Sequence, residues 1–155
     1  MANINVAIPR AKANQLSLEE QTRGFSHKFH VDYTDVNTGG GASDTVTLGI
    51  ATLPATYVID RCLVNVTTAF AGTTAFTLTV GSTTTVNAYL TSQSVMTAAA
   101  LQGAVGATAI VQGTAAISAV AVFTNATGGS PSALTAGACD IYLNIIDLTQ
   151  QNRLG

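Results

Sequence analysis

Few residues of this 155-residue chain carry side chains able to do chemistry, and their spacing argues against most of it. His27 and His30 are the only histidines and stand three apart. They fall within Phe25–Thr34, where apolar and polar residues alternate, so a strand there aims the two imidazoles at opposite faces. They cannot share a metal in that arrangement. No Gly-x-Ser-x-Gly elbow, GxGxxG turn or glycine loop ending in Lys-Ser or Lys-Thr occurs, so neither a hydrolase triad nor a phosphate cradle is supported. The six aspartates are scattered. Asp32 and Asp35 straddle a predicted strand end with a spacing that Ca²⁺ could use, but solvated loop acids are the simpler reading. Cys62 and Cys139 lack metal-ligand spacing and run in phase with apolar neighbours, as buried hydrophobes do; a disulfide between neighbouring strands is the alternative. The pairs Thr45/Thr47, Thr77/Thr79 and Thr83/Thr85 lack the regular period of a repeat and read as ordinary outer strand faces. The expectation is a protein with no catalytic, cofactor-binding or metal-binding residues, hence no enzyme.

The elements around these residues are short strands. A period of two runs through Phe25–Tyr33 and again through Val46–Ile50. From Tyr57 to Phe70 it places Val58, Cys62, Val64, Val66 and Phe70 on one face, with Tyr57, Ile59 and Leu63 among polar residues on the other. Phe76–Val80, Ile117–Phe123 and Ile141–Ile145 alternate likewise. Ala88–Val95 and Ala107–Gln112 suit short strands, and Ala98–Leu101 suits a helical turn. Gly39–Gly41, Ala71-Gly72 and Gly128–Pro131 punctuate the runs. About eight strands with frequent turn signals predict an all-β fold, an antiparallel β-sandwich of jelly-roll type, over residues 25–155. Residues 1–24 show no sustained period and form an extended N-terminal arm; Ser17 and Glu20 have the spacing of a capping box for one helical turn closed by Gly24.

Charge narrows the function classes. Only 9% of residues are charged, against 47% hydrophobic, where soluble domains average about 25% charged. A monomer of this mass exposes about 7,300 Å², or one charge per ~500 Å², a surface poorly defended against association. From 62 to 139, 78 consecutive residues carry no charge. Residues 1–28 hold four basic and two acidic residues, a net of +2, and the remainder nets −4. No basic stripe for nucleic acid is present. The uncharged stretch Thr97–Phe123 is too rich in Ala and Gly, with Gln102 and Gln112, to read as a membrane span. The start lacks a basic region followed by an apolar one, so it does not read as a secretory signal.

The runs Val46–Pro54, Tyr57–Gly72 with its Ala69-Phe70-Ala71-Gly72 corner, Phe76-Thr-Leu-Thr-Val-Gly81 and Ala133–Leu143 resemble accessory virion proteins of tailed bacteriophages, in particular small jelly-roll head decoration (cement) proteins. The resemblance covers about residues 44–145 and rests on short patterns. It implies a structural protein on the capsid exterior, made in the host cytoplasm, that stabilises joints between major capsid subunits. It also implies partnership with the major capsid protein and with itself, as a homotrimer. Another virion component (a head-fibre base, or a tail or baseplate accessory) is the alternative, and a carbohydrate-binding adhesin a more distant one. The arm is the expected contact. Ile4, Val6 and Ile8 have the spacing of alternate residues on an added strand, and Arg10, Lys12 and Arg23 would meet acidic patches on a neighbour or the shell. The competing expectation is an arm folded back on its own body.

Overall fold

A computed structural model describes residues 3–7, 13–14, 24–38, 41, 44–97, 101–102, 117–125 and 129–149. Its strands are β1 (Asn3–Ala7), β2 (Ala13–Asn14), β3 (His27–Asp32), β4 (Thr45–Leu53), β5 (Tyr57–Ala71), β6 (Phe76–Ser82), β7 (Leu90–Ser94), β8 (Leu101–Gln102), β9 (Ile117–Asn125) and β10 (Ala136–Asp147). One helical turn, α1 (Tyr33–Val36), follows β3, and a short 3₁₀ turn spans Pro131–Ala133.

The strands form two five-stranded sheets, ordered β1-β4-β9-β6-β7 and β2-β3-β10-β5-β8. The eight strands from β3 onward pair in a nested series. β6 pairs with β7, β5 with β8, β4 with β9 and β3 with β10, all antiparallel. Alternate pairs lie in opposite sheets, and the pairings of β10 with β5 and β9 with β6 join them. A long hairpin rolled up in this way is a jelly roll. The fold is therefore the expected antiparallel β-sandwich, and the sequence pattern carried no strand order because nested pairs lie far apart along the chain.

Alternation sets the core. β3 contributes Phe29 and Val31, β4 Val46 and Leu48, β6 Phe76, Leu78 and Val80, β9 Ala119, Ala121 and Phe123, and β10 Cys139, Ile141 and Leu143, all buried between the sheets. Phe70, Phe76 and Phe123 meet with ring centroids 5.5–5.8 Å apart and close one end of that core. Gly137 makes room for them. Its φ is +144°, and a Cβ there would stand 2.3 Å from the Phe70 ring.

Three sequence expectations need correction. Val58 and Ile59 do not keep the faces that strict alternation gives them. The β10 register jumps between Asn144 opposite Arg61 and Ile145 opposite Ile59, so Asp60 is an extra residue. This bulge reverses the phase: Ile59 joins the core and Val58 does not. Phe25 also leaves the inner row; it packs on Tyr142, with centroids 5.7 Å apart. Finally, Tyr33 belongs to α1 rather than to the first strand. The helical turn expected from Ser17, the remainder of the Ala98–Leu101 turn before Leu101, and the strand expected at Ala107–Gln112 lie outside the described residues; Leu101 itself starts β8.

Candidate interaction surface

The two histidines lie on opposite faces of β3, as their spacing requires. His27 ends the inner row, stacked on Phe29 at 6.4 Å, and partial burial lowers its pKa from the ordinary imidazole value. His30 points outward, where its Nδ1 lies 2.7 Å from Asp140 Oδ1. The other Asp140 oxygen lies 3.3 Å from Lys28 Nζ. Lys28 also stands over the Tyr142 ring at 5.4 Å, and Arg61 over the Phe25 ring at 5.9 Å. Asp140 is thus a buried carboxylate on the central strand β10, held by two basic side chains from β3. Its pairing offsets the cost of burying a charge. The arrangement clamps β3 to β10 across the sheet, and Phe25 and Tyr142 cover its edge.

The cysteines fall on the inner face. Cys139 stands opposite Val66 and Cys62 opposite Leu143, so they are four residues out of register on paired strands. That offset is about 13 Å, too far for a disulfide, and both thiols are free. Burial pushes the Cys62 thiol up to about 12 and raises that of Cys139 as well. A thiol in this state is a poor nucleophile at neutral pH. Asp32 and Asp35 are neither a bare cation pair nor free loop acids. Asp32 Oδ1 accepts from the Thr34 amide at 2.9 Å and Asp35 Oδ2 accepts from the Asp32 amide at 3.0 Å, a reciprocal capping box that starts α1. Among the described residues no group of three His, Cys, Asp or Glu side chains could hold a metal ion, and no helix is long and apolar enough to cross a membrane.

The outer faces of the two sheets contrast. Lys28, His30, Arg61 and Asp140 share the outer face of the β3-β10-β5 sheet. The outer face of the β4-β9-β6-β7 sheet has, among the described residues, no charge. Register lines its side chains into rows: Thr45, Thr124, Thr77 and Ser94; Thr47, Val122 and Thr79; Gly49, Val120 and Gly81. Val120 and Val122 are buried although they face away from the core. The Thr77 and Thr79 hydroxyls lean back to the Thr124 and Val122 carbonyl oxygens at 3.4 and 3.5 Å, leaving methyl groups to define much of the surface.

The arm reaches both sheets. β1 adds to the β4 edge in parallel register, with Ile4 opposite Val46 and Val6 opposite Leu48. β2 pairs with β3 through Ala13 and Asn14. Within a single chain the arm strand therefore lies on its own body. Ile8, Arg10, Lys12 and Arg23 lie outside the described residues. Sequence reasoning missed the role of Asp140, although a signal existed. It is the first charge after 78 uncharged residues and sits inside the apolar run Cys139–Leu143, so it needed a basic partner, and the first strand carried two. Comparison with protein-family models, curated protein sequences and solved structures returns no match.

Proposed function

We propose that this chain is a structural virion protein of the head decoration, or cement, type. It binds the outside of a tailed-phage capsid as a homotrimer and stabilises joints between major capsid subunits. The observation that carries this reading is the uncharged outer face of the β4-β9-β6-β7 sheet. The Thr and Ser rows of that face, with Val120 and Val122 already buried among them and the Thr85–Val86 backbone lying over Gly81, can be buried against another copy without desolvating charge. The Lys28–Asp140–His30 cluster serves the strand pairing of the opposite sheet and leaves that surface untouched. The resemblance of residues 44–145 to phage accessory proteins points the same way. Function here is area buried at subunit joints, with stabilisation by mass action across many contacts.

The test is addition of the purified protein to particles lacking it, followed by sedimentation and a density map. Saturable binding at hundreds of copies per particle, with heat resistance of the shell raised, is expected. Binding at a few to dozens of copies would reassign the chain to a fibre, tail or baseplate position. No binding to heads or tails would overturn the virion reading.

A further inference from the structure

The parallel ladder of β1 on β4 runs over five residue pairs, Asn3 with Thr45 through Ala7 with Gly49. Main-chain pairing at a sheet edge is indifferent to which chain supplies the strand. The same β4 edge is present on every copy. Between β1 and β3 the chain is held at β2 by two residue pairs, Ala13 with Phe29 and Asn14 with Lys28. With β2 in place, five residues, 8–12, give β1 a reach of about 16 Å; with β2 released as well, the nineteen residues 8–26 reach about 60 Å. Charge is compatible with transfer, since residues 1–26, ahead of β3, hold three basic and two acidic residues, a net of +1, and the remainder of the −2 chain nets −3. That attraction acts between copies as well as within one. We propose that β1 is an exchangeable strand and that its acceptor is the β4 edge of a second copy of this chain.

The switch is concentration. A tethered arm meets its own edge at an effective concentration on the order of millimolar, so the closed form prevails in dilute solution. Copies crowded on a shell meet one another's edges at comparable concentration, and the arms pass outward; this clause rests on the decoration reading above. The donor strand and acceptor edge are different surfaces, so the exchange is closed either by two copies that swap arms reciprocally or by a ring in which each arm passes to the next copy. A closed ring of exchanged arms would resist loss of any single subunit.

Register supplies the experiment, because Asn5 stands opposite Thr47. The variant N5C/T47C in one chain should form an intramolecular disulfide in dilute solution. Full-length N5C and T47C chains, mixed at equal amounts and oxidised mildly, should give a mixed disulfide dimer whose yield rises with protein concentration. Failure of the double variant to close at any concentration would overturn the register and the proposal with it. Closure of the double variant with no mixed dimer, in concentrated solution or on particles, would show that the arm stays on its own body and would equally overturn exchange. A mixed dimer formed in solution by protein that binds no particle supports exchange while removing the decoration reading, so the two can fail separately.

Discussion

At the scale of single residues, burial rather than reactivity explains the titratable groups. Cys62 and Cys139 lie on the inner face with raised thiol pKa values, that of Cys62 about 12. A thiol-specific reagent at pH 8 should therefore react at the rate of global unfolding, and both thiols should react at once in denaturant. Fast modification of either in the native protein would contradict the inner-face placement. His27 gives a pH signature of known sign. Burial lowers its folded pKa, so folding favours the neutral imidazole. Stability is complete above the unfolded value of about 6.5 and falls as the pH drops from there toward the lower folded value. His27→Gln should flatten that slope in denaturant titrations between pH 7 and 5. Asp140 behaves differently. Asp140→Ala leaves Lys28 and His30 facing an apolar gap on a half-covered sheet, a loss of about 2 kcal/mol. Restoring most of that loss by adding Lys28→Met to Asp140→Ala would show that the unpaired cation was the cost.

At the scale of elements, the positions that matter most are those where alternation breaks. Gly137→Ala should cost about 3 kcal/mol in urea unfolding, because its positive φ and the Phe70 ring 2.3 Å from the added carbon both oppose it. Gly49→Ala is the control: no atom lies within 4 Å of its added carbon, so β4 should keep its stability or gain a few tenths of a kcal/mol. The body strands β3 to β6, β9 and β10 were legible because each has one face in the core, which writes a period of two into the sequence. The Asp60 bulge was not legible. Nothing local marks an extra residue when Val58 and Ile59 are both apolar, and only the β10 partner decides which turns inward. α1 had a signal in Asp32 and Asp35, three apart as a capping box requires, yet the same spacing suits a cation loop. β8 is two residues long, too short for any period. The candidate surface was half legible: the pattern showed threonines on outer faces, but their alignment into rows depends on registers between strands distant in sequence.

At the scale of the whole molecule, the distribution of charge is what favours the proposed self-assembly. Both basic side chains among the described residues, Lys28 and Arg61, lie on the outer face of the β3-β10-β5 sheet. The opposite face offers threonine and serine hydroxyls and methyl groups, with Val120 and Val122 already buried among them. A face without charge is poorly defended against association, and a net charge of −2 is a weak repulsion over a body this size. Native mass spectrometry should therefore find a homo-oligomer, a trimer on the present reading, at micromolar concentration; a stable 15.7 kDa monomer would sink it. Thr79→Lys then locates the contact. Thr79 sits mid-row beside Val122 and is half-exposed, so in an isolated subunit the substitution should change stability by no more than about 0.5 kcal/mol. In the assembly it would bury an ammonium without a partner, which costs several kcal/mol. The expected outcome is a folded subunit with an unchanged circular dichroism spectrum and a dissociation constant raised at least ~100-fold. If Thr79→Lys assembles as the parent does, while Lys28→Glu on the other sheet disrupts assembly without unfolding the chain, the charged face is the interface and the assignment of the two faces must be exchanged.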